Sequence, residues 1–418
     1  MKILQINCVY KVGSTGNIMF DIHKCLRETG YESVVIYGRG EKVEEEKVYK
    51  SSTEFEGKIH SVFSKLFGME YAYSRHNGEV CYSHIMKERQ TLFDITTNIL
   101  NEIKAVLEKE RPDVVHLHCL NGHFINIYRI LEFLKKSGIK TVISLHAEMM
   151  YTAGCSHAMD CEKWKTECHN CPKIKGYVSK YFRDDTRHCY DLIKDAYKDF
   201  DNLTIVGVSQ WVTNRAKQSP MFKDNRVKTI TNGINTDVFK AYDATVLRKE
   251  LNIPDDKKII LHVSPNVTDT LKGIDNVIEL ANRMRDYQFV VIGENSDKIN
   301  VPENVMTVSH IKNQVKLAEY YSLADCFVMT SSRETYPTVC IEAIACGCNV
   351  VGFNVGGVPE TIPEGMGETV EAFDMDAFEK AVRKWADIKV SKEYVKKLHY
   401  DLSRQEMTRK YVEVYKEF

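Results

Sequence analysis

The sequence predicts an α/β protein with two Rossmann-like doubly wound domains facing a cleft. Three observations carry this. Short β-branched runs alternate with longer helical stretches along all 418 residues, the strands are apolar throughout rather than alternating, and the series restarts near the middle of the chain. Strands without in–out alternation are buried on both faces, which is the condition of a parallel sheet covered by helices. The length also exceeds one ordinary core, so two domains are expected.

The first series opens with the strand "KILQIN", then a helix over 17–29 that ends at Gly30. "SVVIYG" is the second strand, and Pro112 stops the helix that precedes "DVVHLH". A helix over 124–136 leads to "KTVISLH", and "LTIVGVS" closes the series. The second series runs "VKTITNG", "KIILHVS", a helix over 274–285, "QFVVIGE", "VMTVSH", a helix over 313–323, "DCFVMTS", a helix over 338–346 and "NVVGFN". Domains over 1–215 and 216–399 follow, and the amphipathic helix within 400–418 is expected to pack back on the first. Ligands of such sheets bind at the carboxyl ends of the strands, so candidate residues are sought there.

Composition narrows the function. At 43% hydrophobic, 28% charged and a net charge of −1, nothing draws the chain as a whole to nucleic acid or to an anionic membrane. "MKILQINCVYK" lacks the apolar core and cleavage site of a signal peptide. No run approaches the roughly 18 apolar residues of a spanning helix. A cytoplasmic location is expected, extending to the inner face of the membrane. Thirteen cysteines, several inside apolar runs (Cys119, Cys326, Cys340, Cys346), read as reduced thiols packed as small hydrophobes.

Three strand ends carry chemistry. After the first strand, Gly13 and Gly16 bracket Ser14 and Thr15 ahead of a helix, where free N–H groups and the helix dipole suit an anion. An ordinary strand-to-helix turn is the other reading. The G-x-G-x-x-G dinucleotide fingerprint is absent, which argues against a nicotinamide dehydrogenase. In "HVSPNVTDTLKGIDN", Lys272 and Gly273 open a helix after a strand. A lysine there opposes the dipole, and a bound diphosphate would give it a reason, whereas the plain alternative is a solvated side chain. In "RETYPTVCIEA", Glu334 lies in the loop after "DCFVMTS" and Glu342 about one turn into an apolar helix. Pro337 sits between them, and the N–H groups of Tyr336, Thr338 and Val339 are read as a phosphate site. Carboxylates on each side of an anion site suit a sugar nucleotide, because each can accept two hydrogen bonds from a vicinal diol.

These segments resemble retaining glycosyltransferases of family 4, which have the GT-B fold. "SSRETYPTVCIEAIACGCNVVGFNVGGVPETI" is similar to the family's E-x7-E signature with its following strand and glycine turn. "VKTITNGINTDVF" resembles its interdomain segment, and "GSTGNI", "SVVIYGRG" and "CEKWKTECHNCP" resemble a bacterial polysaccharide-assembly subgroup. The resemblance implies transfer of a hexosyl unit from a nucleotide-sugar, UDP-linked rather than GDP-linked, to a glycan or lipid-linked acceptor. The first domain would bind the acceptor and the second the nucleotide-sugar. Carried over by position, Glu334 holds the donor sugar, Glu342 the ribose, and Lys272 with Tyr336, Pro337, Thr338 and Val339 the diphosphate. Gly13, Ser14, Thr15 and Gly16 close over it, while His310 and Ile311 border the nucleobase. His146 lies beside the sugar, and with Glu334 and Lys272 forms the catalytic set. His118, Asn121 and Glu148 fall on the acceptor side. The resemblance implies no required cofactor and no catalytic metal.

The sequence departs from the family at three places. "SPNVTDTLKG" lacks the arginine that usually precedes the lysine, Ala147 replaces an aspartate after the histidine, and Asn17 stands where an arginine is common. A sugar-nucleotide epimerase on the same fold and a non-catalytic sugar-nucleotide-binding protein are therefore the competing readings. The epimerase would need carboxylates on both sides of the sugar, for which Glu334 and Glu148 are available. Two further features remain. Cys155, Cys161, Cys168 and Cys171 cluster with C-x5-C and C-x2-C spacings, readable as a structural zinc site or as reduced thiols in a packed loop. Residues 57–69 put Ile59, Val62, Phe63, Leu66 and Phe67 on one helical face, core-facing or a peripheral membrane contact.

Overall fold

The computed structural model describes residues 1–51, 95–120, 124–125, 127–172 and 186–417. Asn121 and the apolar stripe over 57–69 lie outside these described residues. The chain forms two compact units, Met1–Ile230 with Thr408–Phe418, and Thr231–Met407.

The first unit runs β1 (Lys2–Val9), α1 (Gly13–Glu28), β2 (Glu32–Arg39), β3 (Val48–Lys50), α2 (Ile95–Glu110) and β4 (Val114–Leu117). It continues α3 (Ile127–Ser137), β5 (Lys140–Leu145), α4 (Thr186–Tyr197), β6 (Leu203–Gly207), α5 (Gln210–Lys217) and β7 (Arg226–Thr229). All pairings are parallel, in the order β3-β2-β1-β4-β5-β6-β7. Every residue of β4 and β6 is buried, as the apolar runs require of strands covered on both faces.

The second unit runs α6 (Thr245–Glu250), β8 (Ile259–Asn266), α7 (Ile274–Arg283), β9 (Gln288–Glu294), β10 (Val305–Val308) and α8 (Gln314–Leu323). Then follow β11 (Cys326–Met329), α9 (Thr338–Ala345), β12 (Asn349–Phe353), β13 (Gly367–Val370), α10 (Met375–Asp387) and α11 (Lys392–Asp401). Its sheet is also wholly parallel, ordered β10-β9-β8-β11-β12-β13. The core beneath it joins Ile260, Phe289, Val328 and Phe353 to Val277, Leu280 and Phe378 of the covering helices.

Both sheets grow outward in two directions from their first strand. The order reverses between β1 and β4 in one and between β8 and β11 in the other. At such a reversal the two flanking connections leave to opposite faces, and a crevice opens at the strand carboxyl ends. Each unit therefore has one predetermined ligand position.

The boundary expected at 215/216 falls instead at 230/231, because "VKTITNG" begins with β7, which pairs with β6 in the first sheet rather than opening the second. β7 is a half-exposed edge strand, so its sequence carries little burial signal. The helix expected from residue 17 starts at Gly13, which makes the Gly13–Gly16 stretch its first turn.

The last helix, α12 (Arg404–Lys416), enters the first unit from Thr408 onward. Tyr411 and Tyr415 are fully buried there. The Tyr415 hydroxyl lies 2.8 Å from His116 Nδ1, and the Tyr411 hydroxyl 2.6 Å from Ser144 Oγ. Tyr415→Ala is expected to destabilise the first unit by about 3–5 kcal/mol, as for other large-to-small core changes. Tyr415→Phe should cost only about 1 kcal/mol, the value of one hydrogen bond. Denaturant midpoints of the two variants check the difference.

Candidate active site

In the second unit the reversal lies between the ends of β8 and β11. The turn Thr270–Lys272 follows β8, with the Asp269 side chain accepting from Leu271 N at 3.0 Å. Gly273 closes the turn at φ 71°, a left-handed conformation that favours glycine. A Cβ on Gly273 would come within 2.1 Å of the Thr330 carbonyl oxygen. The Thr330 hydroxyl donates to the carbonyls of Lys272 and Gly273, at 3.2 and 3.0 Å, and Ser332 N donates to the Leu271 carbonyl at 2.9 Å. The β8 turn is thus fastened to the segment leaving β11.

That fastening brings Lys272 and Glu334 together, with Nζ 2.7 Å from Oε1. Both side chains are mostly buried, at 26% and 16% exposure. Burial works against the Lys272 ammonium, but the charge and hydrogen bond of Glu334 outweigh it and its pKa is raised. Glu334 is fixed from behind by a close backbone approach. Gly357 N donates to its carbonyl at 2.9 Å, and a Cβ on Gly356 would overlap that oxygen at 1.9 Å.

Beyond Glu334 the chain turns through Pro337 into α9. Pro337 gives no side-chain cap, and the first turn of α9 holds no acidic residue. The N–H groups of Thr338 and Val339 and the positive end of the dipole therefore favour an anion. Glu342, one turn on, is half-buried and accepts from the Tyr321 hydroxyl at 3.0 Å. Tyr336 is buried. His310 and Ile311 follow the edge strand β10, two strands from β8, with His310 exposed.

In the first unit the reversal lies between β1 and β4. α1 begins at Gly13 with no side-chain cap and no acid in its first turn, and Gly13 and Ser14 are exposed. Asn7 ties the strand ends together, since its amide donates to the Val9 carbonyl at 2.9 Å and its carbonyl accepts from Cys119 N at 3.0 Å. His146, just past β5, is half-buried, and burial lowers its pKa to about 4. Its Nε2 lies 3.2 Å from His118 Nδ1.

Two expectations for the acceptor side are corrected. His118 is buried with both ring nitrogens bonded to protein, the second to Gln5 Oε1 at 3.0 Å, so it stands beneath His146 rather than facing a ligand. Glu148 is fully buried. It accepts from Arg215 Nε at 2.6 Å, from the Tyr151 hydroxyl at 3.0 Å and from Ala158 N at 2.8 Å. It anchors the cysteine-bearing loop and cannot replace the aspartate that Ala147 displaces. Arg215 also stacks over Trp164, whose Nε1 donates to the Cys161 carbonyl at 2.8 Å.

Cys155, Cys161, Cys168 and Cys171 line one cavity of about 20 Å³ in that loop. Burial, with the Cys161 and Cys171 sulfurs alongside, pushes the Cys168 thiol up to about 12. Among the described residues no three His, Cys, Asp or Glu side chains are disposed to hold a metal ion. The zinc expectation finds no ligand set there among the described residues, and none of these four cysteines is in a disulfide. No helix among the described residues is long and apolar enough to cross a membrane.

Two wholly parallel α/β units define the GT-B class. The chain belongs to glycosyltransferase family 4: residues 15–238 match Glycosyltransferase Family 4, and residues 243–400 match Glycosyl transferases group 1. An N-acetyl-alpha-D-glucosaminyl L-malate synthase of Bacillus anthracis is 22% identical, over 87% of this chain and 82% of its own length. The putative colanic acid biosynthesis glycosyl transferase WcaC of Escherichia coli K12 is 21% identical, over 88% of this chain and 87% of its own. Among solved structures, a sucrose-phosphate synthase from Thermosynechococcus elongatus superposes with a TM-score of 0.68 at 17% identity, covering 100% of this chain and 98% of that one. Anabaena HepE in complex with UDP-glucose gives 0.62 at 14% identity, with both chains fully covered. These structures share the fold.

Removing Glu148 as Glu148→Ala leaves Arg215 largely buried without its carboxylate, and a loss of about 3–5 kcal/mol is expected in chemical denaturation. A pH dependence follows from His23, His146 and His262, each lowered by burial from 6.5 to about 4. Between those values the unfolded chain binds protons that the native chain does not, so stability rises with pH there. The melting temperature is expected to fall as the pH drops from about 6.5 towards 4.

Proposed function

We propose that this glycosyltransferase moves a hexosyl unit, with retention of anomeric configuration, from a UDP-sugar to a glycan or lipid-linked saccharide in polysaccharide biosynthesis. The observation that carries the reading is the Lys272–Glu334 pair, 2.7 Å apart at the reversal of the second sheet and followed by the uncapped start of α9. A cation and a sugar-directed carboxylate brought together from the ends of two adjacent strands, beside a helix N-terminus, are the complement of a sugar diphosphate. The colanic acid relative supports the polysaccharide setting, and the HepE complex with UDP-glucose supports the nucleotide.

In this reading Lys272 and the N–H groups of Thr338 and Val339 take the diphosphate, Glu334 the hydroxyls of the sugar, and Glu342 the ribose. Gly13, Ser14, Thr15 and Gly16 offer a second anion-directed helix start, and the segment holding His310 and Ile311 borders the nucleobase. An acceptor hydroxyl oxygen bonds to the anomeric carbon on the face from which the diphosphate departs. The leaving phosphate oxygen takes the hydroxyl proton. The protein's work is to hold the reactants and to meet charge as it develops on that oxygen. The family resemblance assigns neutral His146 to the donor sugar, and the reading adopts that role. The epimerase reading needs a second carboxylate beside the sugar, and Glu148 is committed to Arg215.

Thermal shift with UDP, GDP and their common sugar derivatives tests the reading, on the wild type, Lys272→Ala and Glu342→Ala. A ligand at a hundredfold excess over its Kd stabilises by about 2.7 kcal/mol, which is readily seen. A UDP-specific shift that is lost in both variants is expected, with kcat/KM in Lys272→Ala reduced about 10²–10³-fold. A shift with GDP alone would move the donor class. Nucleotide binding without turnover on any acceptor would replace transfer by a binding function. An inverted product, read by NMR, would overturn retention.

A further inference from the structure

Where the order of the first sheet reverses, β1 and the segment after β4 bring two cysteines side by side. Cys8 is the penultimate residue of β1, and Cys119 lies two residues past the end of β4. Cys8 N donates to the Cys119 carbonyl at 2.9 Å, and Cys119 N donates to Asn7 Oδ1 at 3.0 Å. The Asn7 amide in turn donates to the Val9 carbonyl at 2.9 Å, so the residues on either side of Cys8 are tied into the same junction. Given the 2.9 Å backbone contact, bond lengths keep the two Cα atoms within about 7 Å, the limit for a disulfide. The side chains meet as well, because the Cys119 thiol is hydrogen-bonded to the Cys8 sulfur. Neither residue is in a disulfide, and both are half-buried rather than enclosed.

This pair differs from the core thiols. Burial raises the pKa of Cys326, Cys340 and Cys348, which makes them inert packing residues. At Cys8 the hydrogen bond from Cys119 and the charge of Arg39 outweigh burial, and the thiol is lowered. A thiolate next to a second thiol is the arrangement in which oxidation runs on to a disulfide instead of stopping at one sulfur. The transfer scheme uses neither residue.

We propose that Cys8 and Cys119 are a reversible oxidation site for small hydroperoxides, closing to a disulfide across the ends of β1 and β4 at the first unit's ligand position. In the first step the Cys8 sulfur attacks one peroxide oxygen. An S–O bond forms, the O–O bond breaks, and the departing hydroxide takes up the proton that Cys8 released. In the second step the Cys119 sulfur attacks the Cys8 sulfur. The S–S bond forms, the S–O bond breaks, and hydroxide leaves as water with the Cys119 proton. The two sulfurs lose two electrons in all, and the peroxide gains them. A dithiol reductant reverses the change. Bridging draws in the end of β1 that leads to the Gly13–Gly16 turn, so a ligand at this reversal meets an altered wall. Slower transfer by the oxidised protein rests on the reading that this unit holds the acceptor, whereas the disulfide itself does not.

The full-length reduced protein is treated with equimolar hydrogen peroxide, its remaining thiols are alkylated, and it is digested without reduction. Mass spectrometry is expected to find the Cys8 and Cys119 peptides joined, two hydrogens lighter than their sum, and parted again by dithiothreitol. In Cys119→Ser, which keeps a hydroxyl donor beside Cys8, oxidation should stop at a Cys8 sulfenic acid that dimedone traps. In Cys8→Ser, Cys119 should stay alkylatable at the same dose. Recovery of both cysteines as alkylated peptides from the peroxide-treated wild type overturns the proposal, as does a bridge formed elsewhere in preference. Dimedone on Cys119 in Cys8→Ser, with none on Cys8 in Cys119→Ser, overturns the order of the two steps. Turnover should be lost on oxidation of the wild type and regained with dithiothreitol, while peroxide leaves the Cys8→Ser rate as it was. A bridge that forms with no loss of turnover overturns the effect on transfer and upholds the site. Absence of any turnover in the reduced protein would sink the transferase reading, and the peptide map still decides the bridge.

Discussion

The contact on which the second unit's chemistry depends is between backbones, where Gly273 meets the carbonyl of Thr330. The two segments come so close that a methyl group at residue 273 would sit 2.1 Å from that oxygen, and the left-handed φ there compounds the demand for glycine. Parallel strands place β8 and β11 side by side, but they do not by themselves bring the turns that follow into register. The Thr330 hydroxyl and Ser332 N do so by bonding to the β8 turn. Lys272 and Glu334, 62 residues apart in sequence, meet as a consequence. The Gly356–Gly357 turn repeats the device on the other side of Glu334, again with backbone against backbone. The acidic group is thus set by backbone contacts on two sides, from the β8 turn and from the Gly356–Gly357 turn.

The first unit solves a similar problem with side chains. Its strand ends are braced by Asn7, Gln5, His116, His118 and Ser144, all buried and joined by hydrogen bonds. Buried polar groups are costly unless satisfied, and a chain of them keeps its orientation because each member would lose a partner by turning. The last helix contributes Tyr411 and Tyr415 to the same layer. Its burial therefore does more than cover apolar surface: it completes the hydrogen bonding of His116 and Ser144.

How far the sequence could be read depended on what kind of signal each element carries. Fully buried strands such as β4, β6 and β11 announce themselves as apolar runs, and the fold class follows from them. The short edge strands β3, β7 and β13 are half-exposed, so they carry no such signature, and β7 was consequently assigned to the wrong sheet. The positions of Lys272, Glu334 and Glu342 at strand and helix ends were legible because local spacing sets them. Glu148 was misread for the opposite reason: its meaning lies in Arg215, 67 residues away, and no spacing rule connects the two. The roles of His118, Tyr321 and Gly356 were likewise hidden, since each acts on a residue distant in sequence. An H-x-H pattern on a buried strand is the one local hint that could have raised the polar layer beneath β4.

On the proposed reading, the absent arginine before Lys272 changes how the anion site would work. In its place stands a turn capped by Asp269, so no second cation comes from that segment, and Lys272 is already paired with Glu334. The pair is neutral overall and contributes little net charge. An ammonium has three donors, however, and among the described residues Glu334 Oε1 is the one carboxylate oxygen bonded to it, which would leave donors for a phosphate without breaking the pair. The remaining attraction comes from the start of α9, equivalent to roughly half a positive charge. Such a site attracts through directed N–H groups close to the ligand rather than through a long-range field. Salt screens fields beyond about 8 Å at physiological strength and affects buried contacts much less. Losing the arginine therefore shifts the burden of recognition from charge to geometry, which is why the backbone contacts at Gly273 and Gly356 matter as much here as the lysine itself.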